Sequence, residues 1–503
     1  MNFVHNFPLF CIILTLFSGP CSMILSAKKA RYLNLGVITA VAVMSACILA
    51  NVCAEGGSYV YMMGHFPAPW GNEIRVGPLE AFMALFFCIV MLLSVVGGAS
   101  ERKTEIGENK ENLYYVMINL LLSSLIALIY TNDLFTAYVF VEINTISACG
   151  MIMIKQSGHT LEAATRYMIM SLLGSGMLLL GICFLYGLTG HLLMSNIKES
   201  VAAITAAGTY HAPLMVAVGL MCVGLAIKSA LFPFHSWLPD AYGYSSVSSS
   251  AILSSLVSKG YIFLLIKIFY RVIGFDIICN SKIINAFFVF GIAGMMFGSI
   301  SAAKEGNIRR MIAFSSVAQI GYIYMGFGLG TNIGVLASIY HILSHAATKS
   351  LLFVSASGLC ECSGHRYELS ELTGAGYRNR MAGIAFTVGA LSMVGFPLFS
   401  GFISKILFAQ AGVNEVGKML PTLIALALST ILNVVYFMRA VLIIYTPLKA
   451  DSVQDKSGYR EIGMRMYPEK TVVFICFILL NLVLGLVSQP ITELCARGLE
   501  MFS

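Results

Sequence analysis

Seven ionisable side chains lie in stretches of sequence that are otherwise apolar enough to cross a membrane. They are Glu142, Lys228, Lys259, His341, His345, Lys349 and Lys405. A charge at the bilayer centre costs about 3 kcal/mol on insertion scales, and such residues usually pair with one another or line an ion path. Histidine exchanges protons near neutral pH, and buried lysine and glutamate can also do so. These seven residues predict a proton relay.

The stretch "YHILSHAATKSLLF" places His341, His345 and Lys349 at positions i, i+4 and i+8. On a helix these positions share one face, with successive members about 6 Å apart along the axis. One water molecule can bridge such a gap. Two histidines four residues apart could instead bind zinc, but no acid or cysteine accompanies them and Lys349 would repel a cation. We therefore predict no metal at this position, and no fingerprint elsewhere indicates a cofactor.

Long side chains can also reach the membrane surface from a buried position. We expect this of Arg439 and Lys267, which lie near predicted helix ends. It does not suit Glu142, Lys228 and Lys259, which lie about seven or more residues from either end. A purely structural pair between Glu142 and a lysine stays open as an alternative, although it would not account for the other lysines.

The composition indicates that these residues lie in a protein that crosses the membrane several times. Of 503 residues, 58% are hydrophobic and 11% are charged, whereas soluble domains carry about 25% charged residues. The net charge of +7 is scattered over short loops, so it does not indicate nucleic-acid binding. A membrane helix needs about 20 apolar residues. This rule predicts fourteen spans, over residues 7–25, 32–54, 77–99, 113–131, 132–154, 163–188, 213–240, 245–273, 281–301, 308–328, 332–358, 380–412, 418–446 and 470–490.

The cysteines and the N-terminus add two expectations. Thirteen cysteines include no CxxC pair, which argues against an iron–sulfur site and against a disulfide framework. Cys360, Cys362 and His365 share one loop but offer too few ligands for a metal site. The stretch "FPLFCIILTLFSGPCSMIL" lacks a basic region before its apolar run, so we expect an uncleaved first helix rather than a signal peptide.

The spans suggest an internal repeat. We predict a three-helix segment at 1–112, a five-helix repeat at 113–273, an inverted five-helix repeat at 281–446, and a cytoplasmic loop with the last helix at 447–503. Prolines break the fourth helix of each repeat, at Pro233 and Pro239 in the first and at Pro397 in the second. Broken helices in inverted repeats are typical of ion paths.

The loop charges predict the orientation. The loops after odd-numbered spans and their flanks hold 19 lysines and arginines, against 7 after even-numbered spans. The positive-inside rule then places the odd loops in the cytoplasm and both termini on the outer side of a cell membrane, the inner membrane where there are two. The longest polar connection is expected at about 450–469.

Several motifs occur in order: "FVEINTISACG", "KSALFPFHSWLPDAY", "NIRRMIAFSSVAQIGY", "HILSHAATKSLLF" and "GFPLFSGFISK". With them the chain resembles the antiporter-like subunits of respiratory complex I, whose fold is shared by Mrp-type Na+/H+ antiporters and membrane-bound hydrogenases. The resemblance implies an all-α polytopic fold and functional roles for all seven relay residues. It also implies an ion-translocating subunit with no redox site of its own, driven by electron transfer in partner subunits.

Two departures concern local helix geometry. The stretch before span eight is "YGYSSVSSSAILSS" where the family has a proline-containing segment, and the span-twelve break is "FPLF" where the family has paired prolines.

The chain ends soon after span fourteen and has a lysine at span eight, which points to the medium-sized, Mrp D-like type. We expect other membrane subunits, lipid and protons as partners, with Na+ left open. The alternatives are an Mrp-type antiporter subunit without redox partners and, less favoured, a self-contained membrane enzyme.

Overall fold

The computed structural model describes residues 3–66, 71–447, 459–463 and 466–502, which are mostly helical. The helices are α1 (Phe7–Ile24), α2 (Ala27–Glu55), α3 (Pro78–Gly97), α4 (Arg102–Glu105), α5 (Glu111–Tyr130), α6 (Leu134–Met153), α7 (Gly158–Thr189), α8 (Met194–Ala207), α9 (His211–Lys228), α10 (Leu238–Tyr244), α11 (Val247–Ile252), α12 (Ser258–Lys267), α13 (Phe275–Cys279), α14 (Lys282–Lys304), α15 (Ile308–Gly328), α16 (Asn332–Glu361), α17 (Ala375–Arg378), α18 (Arg380–Val394), α19 (Ser400–Val413), α20 (Met419–Ile444), α21 (Pro468–Leu486) and α22 (Ser488–Glu500).

In the described part of the chain, twelve helical segments are long and apolar enough to cross a membrane, and each corresponds to a predicted span. Predicted spans eleven and twelve are not among these segments. The helix α16 has 30 residues but is not among the twelve, because histidines, a lysine and serines interrupt its apolar stretches. The pair α18 and α19 occupies predicted span twelve as two short helices. The polytopic helical fold is confirmed, whereas its division into two inverted repeats stays a prediction.

Two broken helices are present, as the fold prediction required. The helix α9 ends at Lys228, and a short 3-10 turn over Phe234–Trp237 leads into α10. Pro233 lies in this gap, but Pro239 lies in the first turn of α10, where proline is tolerated. The second gap separates α18 from α19 and contains Pro397. The first break therefore begins before Pro233, and the prediction that Pro239 also breaks the helix was wrong, because α10 has already begun at that residue.

Three parts of the fold were not predicted. Strands β1 (Tyr59–Met62) and β2 (Glu73–Val76) pair antiparallel in the connection between α2 and α3. The helices α8 and α22 add to the predicted spans. Predicted span eight contains two π-helical segments, Leu253–Val257 and Ile268–Ile273. Most of the predicted polar connection at 450–469 lies outside the described residues.

Burial separates the inner helices from the outer ones. The most apolar stretch of the continuous segment Val247–Ile273 is 100% buried and that of α15 is 94% buried, whereas those of α2 and α20 are 33% buried. Almost every residue of α16 after Gly334 is also buried. Polar and ionisable side chains on these inner helices face protein instead of lipid, which lowers the cost of placing them in a membrane.

Candidate proton-transfer site

The first group of site residues lies at the break after α9. Lys228 is the last residue of α9, and its Nζ lies 3.8 Å from Oε1 of Glu142 on α6. The same ammonium donates a hydrogen bond of 2.7 Å to Thr145 Oγ1 and lies 5.4 Å from the ring centroid of Tyr261. The Lys228 side chain is fully buried, whereas 24% of the Glu142 side chain is exposed. The structure therefore brings the two predicted partners together.

The helix end favours a positive charge at Lys228. Carbonyl dipoles at a helix C-terminus attract cations, and the last turn of α9 ends at this residue. The carbonyls freed by the break are partly satisfied by local turns, because Ser229 N donates to Leu225 O and Leu231 N donates to Ala226 O. The hydroxyls of Ser229 and Tyr324 are hydrogen-bonded at 2.7 Å beside the break. Polar groups thus continue from the lysine toward α15.

Lys259 lies at the start of α12, directly after a π-helical segment. Its Nζ donates to Ser258 Oγ at 3.1 Å and to the carbonyl of Ser254. In a π-helical turn the backbone hydrogen bonds run from residue i to i−5 instead of i−4. In this segment the carbonyl of Ser254 accepts a hydrogen bond from the Lys259 side chain. Lys259 is fully buried, and among the described residues it forms no ion pair. Its ammonium is held by hydroxyl and carbonyl oxygens alone.

The two histidines and Lys349 share one face of α16, as their spacing predicted. The rings of His341 and His345 stack with centroids 6.0 Å apart. His341 Nδ1 is 3.1 Å from Ser404 Oγ, whereas neither ring nitrogen of His345 has a hydrogen-bond partner among the described residues. Lys349 donates to Ile312 O at 2.7 Å and to Ser315 Oγ. The imidazole of His345 is therefore available to accept or donate a proton.

Lys405 lies beyond the second break and bonds back across it. Its Nζ donates to Met393 O at 3.3 Å and to Val394 O at 2.5 Å, which are the last carbonyls of α18. Its side chain is only partly buried, in contrast to Lys259 and Lys349. Like Lys228, it places an ammonium at the C-terminal end of a half-helix, where the dipole favours it.

The charges of three lysines act on the two histidines. The charge of Lys405 acts on His341, and the charges of Lys259 and Lys349 act on both His341 and His345. Among the described residues, however, no hydrogen bond joins any two of the lysines and histidines of the seven. Proton transfer between them requires water or hydroxyl intermediates, which bridge polar groups at little cost. The geometry thus supports a series of separate proton-holding groups instead of a continuous hydrogen-bonded chain.

A metal centre is not supported by the described side chains. Within the described ranges, no three histidine, cysteine, aspartate or glutamate side chains group as metal ligands. Cys362 Sγ instead donates to the carbonyls of Leu359 and Ala375. The positive lysine charges that act on the two histidines oppose the binding of a cation there.

Lys267 lies elsewhere than predicted, and a buried ion pair close to it was not predicted. The expectation that Lys267 reaches the membrane surface was wrong, because its side chain is fully buried. Its ammonium donates to the carbonyls of Leu128, Ile129 and Thr131 at the end of α5. Four residues later, Arg271 pairs with Glu80 on α3, and both side chains are buried. The clue in the sequence was the i, i+4 spacing of two basic residues at the end of an apolar span.

Comparison with known proteins decides the family. A family described as NADH:quinone oxidoreductase/Mrp antiporter, transmembrane, matches residues 131–433. The chain belongs to this family. All seven site residues fall within the matched region, whereas α21 and α22 lie outside it. The predicted recognition of an antiporter-like membrane subunit is thereby confirmed.

Two relatives and one structure illustrate the similarity. The N subunit of the NADH-quinone oxidoreductase of Desulforudis audaxviator is 31% identical over 445 residues, 87% of this chain and 86% of the relative. The D subunit of the Na(+)/H(+) antiporter of Bacillus subtilis is 24% identical over 501 residues, 99% of this chain and 97% of the relative. A chain of the archaeal membrane-bound sulfane sulfur reductase, a respiratory membrane complex, has the same fold, with a TM-score of 0.86 at 23% identity over 100% of this chain and 98% of that chain.

Proposed function

We propose that this protein is a proton-translocating subunit of a redox-driven membrane complex similar to complex I or to membrane-bound hydrogenases. The observation that carries the proposal is the set of buried ammonium groups that lack carboxylate partners. Lys259 and Lys349 are bonded only to hydroxyl and carbonyl oxygens among the described residues. Holding such charges in a membrane is costly, and a role in proton transfer accounts for the cost.

In this proposal Lys228 is the central switch and Glu142 controls its charge state. Protons pass from Lys228 by way of Lys259 to Lys349, His345 and His341 along one face of α16. Lys405 delivers them to the outer side. One charge that crosses 200 mV involves about 4.6 kcal/mol. The attraction of the Glu142–Lys228 pair is similar in size, so its formation and loss can drive a proton-transfer cycle.

A second candidate is a subunit of an Mrp-type Na+/H+ antiporter without redox partners. The similarity to the Bacillus subtilis antiporter protein over 99% of this chain favours it. Four lysines and two histidines on the path favour H+ over Na+ as the ion that this subunit carries, because cationic groups repel Na+.

Purification of the native complex with its partners separates the two candidates. The chain is tagged in its own cell, the complex is solubilised in mild detergent, and the co-purifying proteins are identified by mass spectrometry. The proposal expects iron–sulfur or hydrogenase-like subunits, and proton uptake into vesicles that starts on adding the electron donor. Only small membrane subunits, together with Na+/H+ exchange that needs no electron donor, would overturn it in favour of the antiporter.

A further inference from the structure

A buried amide on α21 lies at the second broken helix. Asn481 Oδ1 accepts hydrogen bonds from Thr348 at 2.7 Å, from Ser392 at 3.1 Å and from Ser400 at 3.2 Å. Its Nδ2 donates to Phe477 O at 3.1 Å within α21. Asn481 and the three hydroxyl residues are all buried. The amide therefore joins four helices at one point.

The three hydroxyls lie on both sides of the break. Ser392 is in the last turn of α18 and Ser400 is the first residue of α19, while Thr348 is on α16 beside Lys349. The hydroxyl of Ser344 on α16 also donates to Ser400 Oγ at 2.8 Å. A carbonyl oxygen has two lone pairs, so three donors must share it. The cluster ties the two half-helices to the helix that carries His345 and Lys349.

The backbone of α21 also touches the break directly. A Cβ atom added at Gly485 would lie 2.1 Å from the carbonyl oxygen of Leu398. Leu398 has a φ of 82° and Gly395 a φ of 90°, so the connection between the half-helices takes a backbone conformation that L-residues rarely adopt. Only glycine at position 485 permits the close approach that supports this connection.

The same break positions Lys405. Its ammonium is bonded to Met393 O and Val394 O, the two residues that follow Ser392. Ser404, next to Lys405, contacts His341. Movement of the end of α18 relative to α19 would change the Lys405 contacts, and movement of α19 relative to α16 would change the contact of Ser404 with His341. The distance between the two half-helices thus sets where Lys405 holds its proton.

We propose that Asn481 is a positioning residue that holds the break in span twelve and thereby keeps Lys405 bonded to the end of α18. This rests on the proposed role of Lys405 in proton transfer. A helix outside the region that matches the family would then control a group inside it.

The test compares Asn481→Leu with Asn481→Asp in the complete complex. Leucine fills the same space but cannot accept a hydrogen bond, whereas aspartate keeps an oxygen where Oδ1 lies. If Asn481 merely filled space, leucine would be tolerated better, because a buried carboxylate is costly. The positioning role predicts the opposite order. Loss of buried hydrogen bonds in Asn481→Leu should lower proton translocation at least about fivefold, and Asn481→Asp should retain most of it.

A matched control and a second measurement separate a local effect at the break from a general effect of burying leucine in place of asparagine. Asn34 is also buried in an apolar helix and donates to Asn119 at 2.6 Å, away from the break. Asn34→Leu should leave translocation unchanged. Hydrogen–deuterium exchange of residues 395–401 should be faster in Asn481→Leu than in wild type or in Asn34→Leu. Thr348→Val, which removes one donor, provides the same comparison if Asn481→Leu does not assemble.

The positioning role is overturned if Asn481→Leu matches the wild type in both proton translocation and hydrogen–deuterium exchange. It is also overturned if Asn481→Leu translocates protons better than Asn481→Asp. Faster exchange with normal translocation would also overturn it, since the break would then move without consequence for Lys405. If the wild-type complex translocates no protons, the proposed function fails. The exchange comparison then still reports whether Asn481 holds the break.

Discussion

Replacing Glu142 with glutamine tests the ion pair at the first broken helix. Glu142 Oε1 lies 3.8 Å from Lys228 Nζ, and the lysine is also bonded to Thr145. Glutamine occupies almost the same space and keeps an oxygen near the ammonium, but it removes the negative charge. The substitution thus separates the electrostatic contribution of Glu142 from its packing.

The distance sets the size of the effect. At 3.8 Å and an effective dielectric constant of about 20, the two charges attract by about 4 kcal/mol. Because 24% of the Glu142 side chain is exposed, water screens part of this attraction, and we take the range as about 2–4 kcal/mol. This corresponds to a change of about 30- to 1000-fold in the equilibrium between charged and neutral Lys228. We expect Glu142→Gln to lower proton translocation at least about tenfold.

The assay uses the purified complex in proteoliposomes with a pH-sensitive dye inside. Glu142→Asp, which keeps the charge on a shorter side chain, should retain part of the activity. Glu162→Gln is the control, because Glu162 pairs with Arg166 on an exposed surface of α7. Translocation by Glu142→Gln at the wild-type rate would refute the electrostatic role. Loss of the whole subunit from the membrane would instead indicate that the pair is structural.

Two further substitutions test other buried charges. Lys405→Ala should abolish translocation, whereas Lys405→Glu, which keeps a titratable group, should retain part of it; equal rates in the proteoliposome assay would mean that the relay ends before Lys405. Glu80→Leu strands the buried charge of Arg271 and should destabilise the subunit by about 3–5 kcal/mol. Adding Arg271→Met should restore much of the lost thermal stability in detergent, and a double variant no more stable than Glu80→Leu would contradict the pairing.

Much of the site followed from the sequence because membrane burial is costly for charges. A lone lysine in an apolar span must have a reason, so Lys228, Lys259 and Lys349 were visible as candidates without a structure. The i, i+4 pattern of His341 and His345 placed them on one face, and their rings do stack. The breaks were visible because proline interrupts helix hydrogen bonding.

The remaining features depend on which helices are neighbours, and periodicity does not encode that. Lys267 sits near the end of its span, so snorkelling was the simplest expectation, yet α5 ends beside it and supplies three carbonyls. Asn481 looked like one polar residue in the last span, and only the fold places it against both halves of span twelve. The pairing of β1 with β2 was missed because each strand has only four residues.

Proton translocation by Lys228→Ala shows whether Lys228 is the central switch of this subunit. Lys228 is fully buried at the end of a broken helix, and alanine removes its ammonium while leaving the helix able to form. The measurement is electron-donor-driven acidification of proteoliposomes that contain the complex, with subunit content checked by mass spectrometry. If Lys228 is the switch, the Lys228→Ala complex assembles fully and oxidises the donor but translocates no protons through this subunit. Normal acidification by the assembled Lys228→Ala complex would contradict it.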